Sequence, residues 1–304
     1  MDNKFALIKF AKSMKEIPIK HEIFRKFPER VLKFYVNKSL YYAVDIVEIC
    51  GISGYEITLP MLNEDNAALL GKIMEKVEGN CRDLGVRAII AERGIPVAAG
   101  FFAPDGYLVK PFFLGAVIDK YLKFAGINPA QAQIIIIEGE EDFTKSIGKL
   151  IYNKFNYLGI ILEANEQADY ETFAAEIFDD CGLALNFGRR GSYLLKEADI
   201  IINLSDNSKG YESFYKKGVC YIELSTGNEK LKSLLANREG IAAVDKFNIE
   251  YMGERLNLAQ YEMIAYLDLP DFARYAGNSN KEKHFSNAAK SIEGHNAKLR
   301  NLNM

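Results

Sequence analysis

The sequence predicts an α/β protein: a Rossmann-like parallel-sheet domain, preceded by a smaller mixed α/β domain and followed by a helical tail. Three observations carry this. Short, wholly apolar runs recur in the second half, of which Gln133-Ile-Ile-Ile-Ile-Glu138 is the clearest. Such runs mark strands buried on both faces. Stretches of helical spacing alternate with them, as in Ile147, Leu150, Ile151 and Phe155, and that alternation implies βαβ units. The 304 residues suffice for two domains, at roughly 150 residues each.

Taken in order, Ala43 to Cys50 and Tyr55 to Leu59 read as strands. Ala67 to Leu84 reads as a long helix stopped by Gly85, and Val86 to Ala91 as a strand. Gly94 to Val97 begins another extended piece. Pro104-Asp105-Gly106 is turn chemistry. Leu114 to Phe124 reads as a helix ending near Gly126.

The parallel sheet then begins at Gln133 to Glu138. A helix over Phe143 to Phe155, a strand over Leu158 to Leu162 and a helix over Tyr170 to Phe178 follow. Further strands are expected at Gly182 to Phe187, Asp199 to Asn203, Val219 to Leu224 and Gly240 to Val244. Right-handed crossovers make this a doubly wound sheet. From about Gly277 the chain is polar. Phe285, Ala288, Ile292 and Leu299 suggest an amphipathic helix over Lys281 to Leu299. The expected domains are 1–125, of substrate-binding type, 126–276, Rossmann-like, and a tail, 277–304.

Composition excludes several classes of function. The apolar fraction is 49%, and 38 basic residues meet 41 acidic ones for a net charge of −3. Such a balance argues against disorder and gives no general attraction to nucleic acid. The four cysteines, Cys50, Cys81, Cys181 and Cys220, are scattered and fit neither a zinc knuckle nor a disulfide framework. They read as small buried hydrophobes in a reducing, cytoplasmic setting. His21, His284 and His295 are the three histidines, so no metal site is expected. No apolar run reaches the length of a signal core or of a span of about 20 residues. The Lys- and Arg-rich stretch over residues 9–35 is either a membrane-surface helix or a solvated helix face.

The cofactor loop of a dinucleotide-binding domain follows the first strand and opens the first helix. Its glycines admit the pyrophosphate, and the helix end supplies positive charge. Here that segment runs from Glu138 through Gly139, Glu140, Glu141, Asp142, Phe143, Thr144 and Lys145 to Ser146. Gly139 is the sole glycine. In G-x-G-x-x-G spacing, Glu141 and Thr144 hold the other two glycine positions. Carboxylates at a helix N-terminus stabilise it and repel phosphate. The loop therefore reads either as a well-capped helix with the cofactor site lost, or as an altered NAD(P) site using Gly139, Thr144, Lys145 and Ser146. Gly139 with Thr144-Lys145-Ser146 also approaches a P-loop, but Thr144 stands where that loop needs glycine. After the second strand, Glu163 could accept ribose hydroxyls. Arg189 and Arg190, after the third, could meet an anion. Each fits an ordinary solvated loop equally well.

Phe5 to Ile8, Val44 to Ile49, Gly54 to Ile57, Ile73 to Val77, Leu84 to Val86, Gly94 to Gly100, Gln133 to Ser146 and Ala198 to Asn203 follow one another in a distinctive order and spacing. That layout resembles the bacterial acyl-[acyl-carrier-protein] reductases and the predicted amino-acid dehydrogenases grouped with them. The resemblance implies a substrate domain, an NADPH-binding Rossmann domain and a helix-rich C-terminus. It also implies thioester reduction through a cysteine. The departures fall on the functional positions. No cysteine lies between Cys81 and Cys181, Phe101 replaces that family's asparagine, a hairpin over Phe101 to Pro111 is inserted relative to it, and acids replace its cofactor glycines.

Gly51 to Pro60 is similar to the G-x-x-G-x-N-V-T-x-P motif of shikimate dehydrogenases, and Leu258-Ala-Gln260 to their late L-x-x-Q stretch. Where that family carries its catalytic lysine this chain has Met61-Leu62.

No Ser/His/Asp set can be assembled. Lys110, on the expected hairpin, and Lys145 could act as acid–base or anion groups, or stand as surface lysines. Phe101, Phe102, Tyr107, Phe112 and Phe113 either line an apolar pocket or form core. The expectation is a dehydrogenase-like protein with catalytic and cofactor sites lost. Such a pseudoenzyme would bind a small molecule or a protein partner, as a monomer or homo-oligomer. The alternative is an active NAD(P)-dependent oxidoreductase acting on an acyl, aldehyde or small carbonyl substrate, with Lys110 as the proton donor.

Overall fold

The computed structural model describes residues 3–12, 27–60, 67–207, 211–225, 234, 240–278 and 281–302. His21 and Met61-Leu62, and most of the basic stretch over 9–35, lie outside these residues. The chain packs as two units. One comprises Met1–Gly106 with Ala259–Ala273, and the other Tyr107–Leu258 with Arg274–Met304.

The first unit holds a four-stranded sheet of β1 (Lys4–Phe10), β2 (Ala43–Ile49), β3 (Ile52–Leu59) and β4 (Val86–Ala91), in the order β2-β3-β1-β4. Here β1 runs parallel to β3 and β4, while β2 and β3 form a hairpin. Ile49 faces Ile52 across that hairpin, and Cys50 and Gly51 between them both have positive φ, as a two-residue turn requires. Gly54 lies opposite Phe5, and a Cβ there would sit 2.6 Å from the Phe5 ring. The second helix, α2 (Ala67–Asp83), follows α1 (Glu29–Ser39). It buries Ile73, Met74, Val77 and Cys81 against Ala6, Ile8, Ile57 and Leu59.

The second unit is built on six strands. These are β5 (Gln133–Ile137), β6 (Tyr157–Ile161), β7 (Asn186–Gly188), β8 (Ile200–Asn203), β9 (Cys220–Glu223) and β10 (Ala242–Val244). Every pairing is parallel, and the order is β10-β9-β8-β5-β6-β7. Numbered within the sheet this is 6-5-4-1-2-3, the doubly wound order of dinucleotide-binding domains. The wholly apolar strands are explained by burial: Ile134, Ile136, Ile137, Ile200, Ile201 and Ile202 are all 0% exposed.

Among the described residues, α3 (Leu114–Ala125), α4 (Glu141–Ile151), α5 (Glu171–Cys181) and α6 (Tyr193–Glu197) accompany this sheet. The third strand is shorter than the sequence suggested. Gly182 takes a left-handed φ of 73° to cap α5, so pairing starts only at Asn186.

Beyond the sheet, β11 (Phe247–Tyr251) and β12 (Glu254–Asn257) pair antiparallel. They precede α7 (Leu258–Asp268), α8 (Pro270–Gly277) and α9 (Glu282–Gly294). The tail corrects an expectation. Its helix stops at Gly294, Asn296 takes a positive φ of 55°, and β13 (Lys298–Leu302) pairs with β11, placing Leu299 opposite Ile249.

The expected hairpin over Phe101 to Pro111 does not form either. Phe102 makes an isolated bridge to Ala88, and a short 3-10 turn over Lys110–Phe113 leads into α3. In these compact units α3 packs with the parallel sheet, and Ala259–Ala273 joins the first unit.

Candidate functional site

In a doubly wound sheet, ligands meet the carboxyl ends of the strands where the strand order reverses. In this chain the order reverses between β5 and β8, so that place is the end of β5. Its chemistry is dominated by Glu138, the residue that ends the β5 run. Its side chain is buried.

The Glu138 carboxylate is held by five donors. Oε2 accepts the successive backbone amides of Glu163, Ala164 and Asn165 at 2.7, 3.0 and 3.3 Å. Oε1 accepts the Asn165 Nδ2 at 2.9 Å and the Tyr170 hydroxyl at 2.6 Å. Burial alone would raise the pKa of this carboxyl. The bonds from Tyr170, Asn165, and the Glu163 and Ala164 amides outweigh burial and hold it below the ordinary carboxylate value. Tyr170 is shifted upward, first by burial and then by Glu138, so it stays a donor. Three consecutive amides turned toward one point form an anion-binding nest. Here the chain's own carboxylate sits in it.

The retained Gly139 has a packing reason. A Cβ on it would lie 2.5 Å from the Leu204 carbonyl oxygen, in the loop after β8. Its amide donates to Thr144 Oγ1 at 3.2 Å, and that hydroxyl donates back to the Glu140 carbonyl at 2.9 Å. Thr144 is fully buried. The position that would hold a third glycine is thus a polar stitch across the start of α4. Glu140 is the N-cap residue, and Glu141 and Asp142 occupy the first turn. Lys145 pairs with Glu141 one turn back, its Nζ 5.2 Å from the centre of the Tyr170 ring.

Glu163 is also engaged. It accepts the Ser205 hydroxyl and a bond from Tyr211. The Tyr211 pKa is pushed up to about 12 by burial and by Glu163. Since β5 lies between β6 and β8, this contact spans the end of β5. Arg190 places its guanidinium 5.8 Å from the Tyr211 ring centre, and Arg189 is exposed. Of the candidate cofactor-binding residues, the structure places Gly139, Thr144, Lys145 and Glu163 near Glu138, with Ser146 further along α4 and Arg189 and Arg190 exposed.

Lys110 is neither on a hairpin nor on the surface. It is buried, donating to the Glu223 carbonyl at 2.9 Å and pairing with Asp245 Oδ1 at 3.1 Å. Beside it, Glu223 is 1% exposed and accepts Asn203 Nδ2 at 2.8 Å, the Ser225 amide at 2.9 Å and the Tyr221 hydroxyl at 3.1 Å. Among the described residues, Asn203 Oδ1 and Ser225 Oγ are buried without a hydrogen-bond partner.

Next to the start of α4 is a cavity of about 320 Å³. Glu140, Phe143 and Ser146 of the α4 segment line it, with Leu204 and Asp206 after β8, Tyr107 and Leu108, Tyr275, and Lys281 and Phe285. The aromatic residues of the 101–113 stretch separate. In the first unit Phe102 stacks on Tyr266 with centroids 4.1 Å apart. In the second, Phe112 packs on Tyr275 and Phe285, Phe113 meets Phe247, and Tyr107 lines the cavity.

Cys50, Cys81 and Cys220 are buried, but Cys181, at the end of α5, is exposed, against expectation. Among the described residues no cluster of His, Cys, Asp and Glu is arranged to hold a metal, and no helix is long and apolar enough to cross a membrane.

The roles of Glu138, Asn165 and Tyr170, and the Asn203–Glu223 pair, were not anticipated. The available signal was an acid directly ending an apolar buried strand, at Glu138 and again at Glu223.

Comparison with known proteins gives fold-level likeness. No family model matches the chain, and no curated protein matches it. Solved structures similar to it include a shikimate 5-dehydrogenase from Listeria monocytogenes, 11% identical over 80% of this chain and 85% of that one, with a TM-score of 0.33. An L-tryptophan dehydrogenase from Nostoc punctiforme is 11% identical over 96% and 80%, TM-score 0.35. A 5-ketofructose reductase of Gluconobacter sp. strain CHM43 is 12% identical over 96% and 99%, TM-score 0.34. The chain has a Rossmann-like fold. Its strand order and parallel pairing carry that statement.

Proposed function

We propose that this Rossmann protein works by binding rather than by hydride transfer, and that its own side chains fill the place of a dinucleotide. The observation that carries this reading is the Glu138 carboxylate seated on the amides of Glu163, Ala164 and Asn165. A dinucleotide needs those loops open and the first helix end free for its pyrophosphate.

Three further features support the same reading. Glu140, Glu141 and Asp142 surround the start of α4, where a diphosphate would bring two more negative charges. Glu163, the residue placed to read a ribose, instead accepts Ser205 and Tyr211 across the end of β5. Lys110, the candidate proton donor, is spent on Asp245 and the Glu223 carbonyl. The residues present do not fit NAD(P). The start of α3 likewise offers Leu114, Gly115 and Ala116 where an acyl reductase-like chain would carry a thiol nucleophile. A pseudoenzyme on a dehydrogenase frame accounts for all of these replacements together.

The test is direct. The full chain is titrated with NADH and NADPH to millimolar concentration, following nucleotide fluorescence and the protein's melting temperature. Neither readout should move. Saturable binding of either dinucleotide overturns the proposal and favours the oxidoreductase.

A further inference from the structure

We propose that α1, in the first unit, is a docking helix for an anionic lipid bilayer and lies in the bilayer surface with one apolar face inward. This is independent of what the end of the parallel sheet binds.

The first argument is exposure. Val31, Phe34 and Tyr35 stand at i, i+3 and i+4 in α1, so they share one face of the helix. Such a face is normally turned to a core. Here Phe34 is 69% exposed, Val31 46% and Tyr35 40%. Single exposed apolar residues are ordinary, but three on one helix face form a patch. Both ends of the helix are defined. The Val31 amide donates to the Pro28 carbonyl at 2.9 Å, and Leu40, just past the last turn, takes a positive φ of 49°. Leu40 and Tyr42 then pack on the core of the first unit. The folded unit itself leaves the patch outside.

The second argument is charge. Over residues 13–39 the sequence holds seven Lys or Arg against three Glu. The whole chain holds 38 basic and 41 acidic residues, so the remainder has 31 against 38. A stretch of net charge +4 therefore sits on a chain that is otherwise −7. Within α1, Arg30 and Lys38 are exposed. An anionic bilayer uses both features: acidic headgroups meet the basic side chains, while Val31 and the rings enter the acyl boundary. A nucleic acid would use the charge and leave Phe34 and Val31 in water. A second copy of α1 would cover the apolar face but oppose like charge with like.

The experiment is co-sedimentation of the full chain with vesicles. Vesicles of phosphatidylcholine with about one-third phosphatidylserine should bind it about tenfold or more tightly than phosphatidylcholine alone. Raising the salt should weaken the binding. Phe34→Ser should weaken it about tenfold, and Arg30→Gln with Lys38→Gln roughly ten- to thirtyfold. Tyr193→Ser removes a comparably exposed ring, 67% exposed on α6 of the second unit, and should change nothing. The chain contains no tryptophan, so Phe34→Trp supplies a reporter whose emission should move to shorter wavelength on the phosphatidylserine vesicles. No vesicle binding, equal binding to the two vesicle types, or Phe34→Trp emission that vesicles leave unchanged would each overturn the proposal. So would equal losses from Phe34→Ser and Tyr193→Ser, or a lipid-free dimer that Phe34→Ser dissociates. Binding that duplex DNA displaces and that Phe34→Ser leaves intact would replace the bilayer with a polyanion. Every substituted residue is exposed, and the tryptophan reporter still tests insertion if a serine or glutamine variant fails to fold.

Discussion

The hydroxyl of Tyr170 points at the carboxylate of Glu138 from 2.6 Å, thirty-two residues further along the chain. This contact joins the end of the first strand of the parallel sheet to the helical segment after the second. Both groups are buried. A buried carboxylate persists as an ion only when its oxygens are satisfied, and this one has five donors. The cluster therefore works as a structural lock between the end of β5 and the loop after β6.

Glu138→Gln should show what the lock contributes. The amide keeps the shape but turns an N–H₂ group toward donors, stranding at least one of them. The expected loss is about 2–3 kcal/mol of stability at neutral pH, read by urea denaturation. The pH dependence has a defined sign. The folded pKa of Glu138 lies below its ordinary value of 4.5. Its contribution is thus complete above that value and is lost as pH falls through the folded pKa. The gap between wild type and variant should stay constant from pH 7 to about 5 and close on further acidification. A gap independent of pH down to 3 would refute the charged lock.

Gly139→Ala separates two explanations of the one glycine left in the loop. If Gly139 survives for a pyrophosphate, the extra methyl should alter nucleotide binding and leave stability nearly intact. The 2.5 Å approach of its Cβ position to the Leu204 carbonyl argues otherwise. Backbone cannot swing aside as a long side chain can, so the variant should lose about 1–3 kcal/mol. An unchanged melting temperature would count against the packing explanation.

Much of the parallel sheet was legible because isoleucine runs with no polar face can be satisfied only between two layers of helices. Ile134 to Ile137 and Ile200 to Ile202 are of this kind. The tail was misread for a related reason. Leu299 continues the helical spacing of Phe285, Ala288 and Ile292, so periodicity extended the helix through it. Nothing local in Asn296 announces a left-handed turn, and Leu299 finds its partner in Ile249, fifty residues earlier. At the site, the acids between Glu138 and Asp142 were read as a group around one helix end. The structure divides them. Glu138 belongs to the loop after β6, Glu141 to Lys145, and Glu140 to the cavity. Spacing along a chain gives the residues near a strand end but not the direction each side chain takes. Glu138 turns to the loop after β6 because the donors that satisfy it come from Glu163 to Tyr170.

Lys110→Met tests whether that lysine is structural. Its Nζ is buried against Asp245 and the Glu223 carbonyl. Removing one member of a buried ion pair typically costs about 3–5 kcal/mol. The Asp245 side chain is 25% exposed and keeps part of its hydration, so the loss here should be nearer 2 kcal/mol. The double variant Lys110→Met with Asp245→Asn should recover part of it, because no unpaired charge then remains. If the single variant is as stable as wild type, the pair does not anchor the 3-10 turn.

The cysteines give a prediction that needs no ligand. Burial pushes the Cys81 thiol up to about 11 and the Cys220 thiol up to about 12, and Cys50 is also buried. Only the thiolate attacks a disulfide or an alkylating agent. These three should therefore stay unreactive while the chain is folded. Cys181 is exposed at the end of α5, its thiol 3.4 Å from the Ile177 carbonyl. A disulfide reagent at pH 8 should consume one thiol per chain quickly and the other three only in denaturant. Cys181→Ser should abolish the fast phase and leave stability unchanged, since an exposed residue at a helix end carries little packing. A second fast thiol in wild type would mean that a strand or helix taken here as core opens to solvent. For Cys220, that strand would be β9, in the parallel sheet itself.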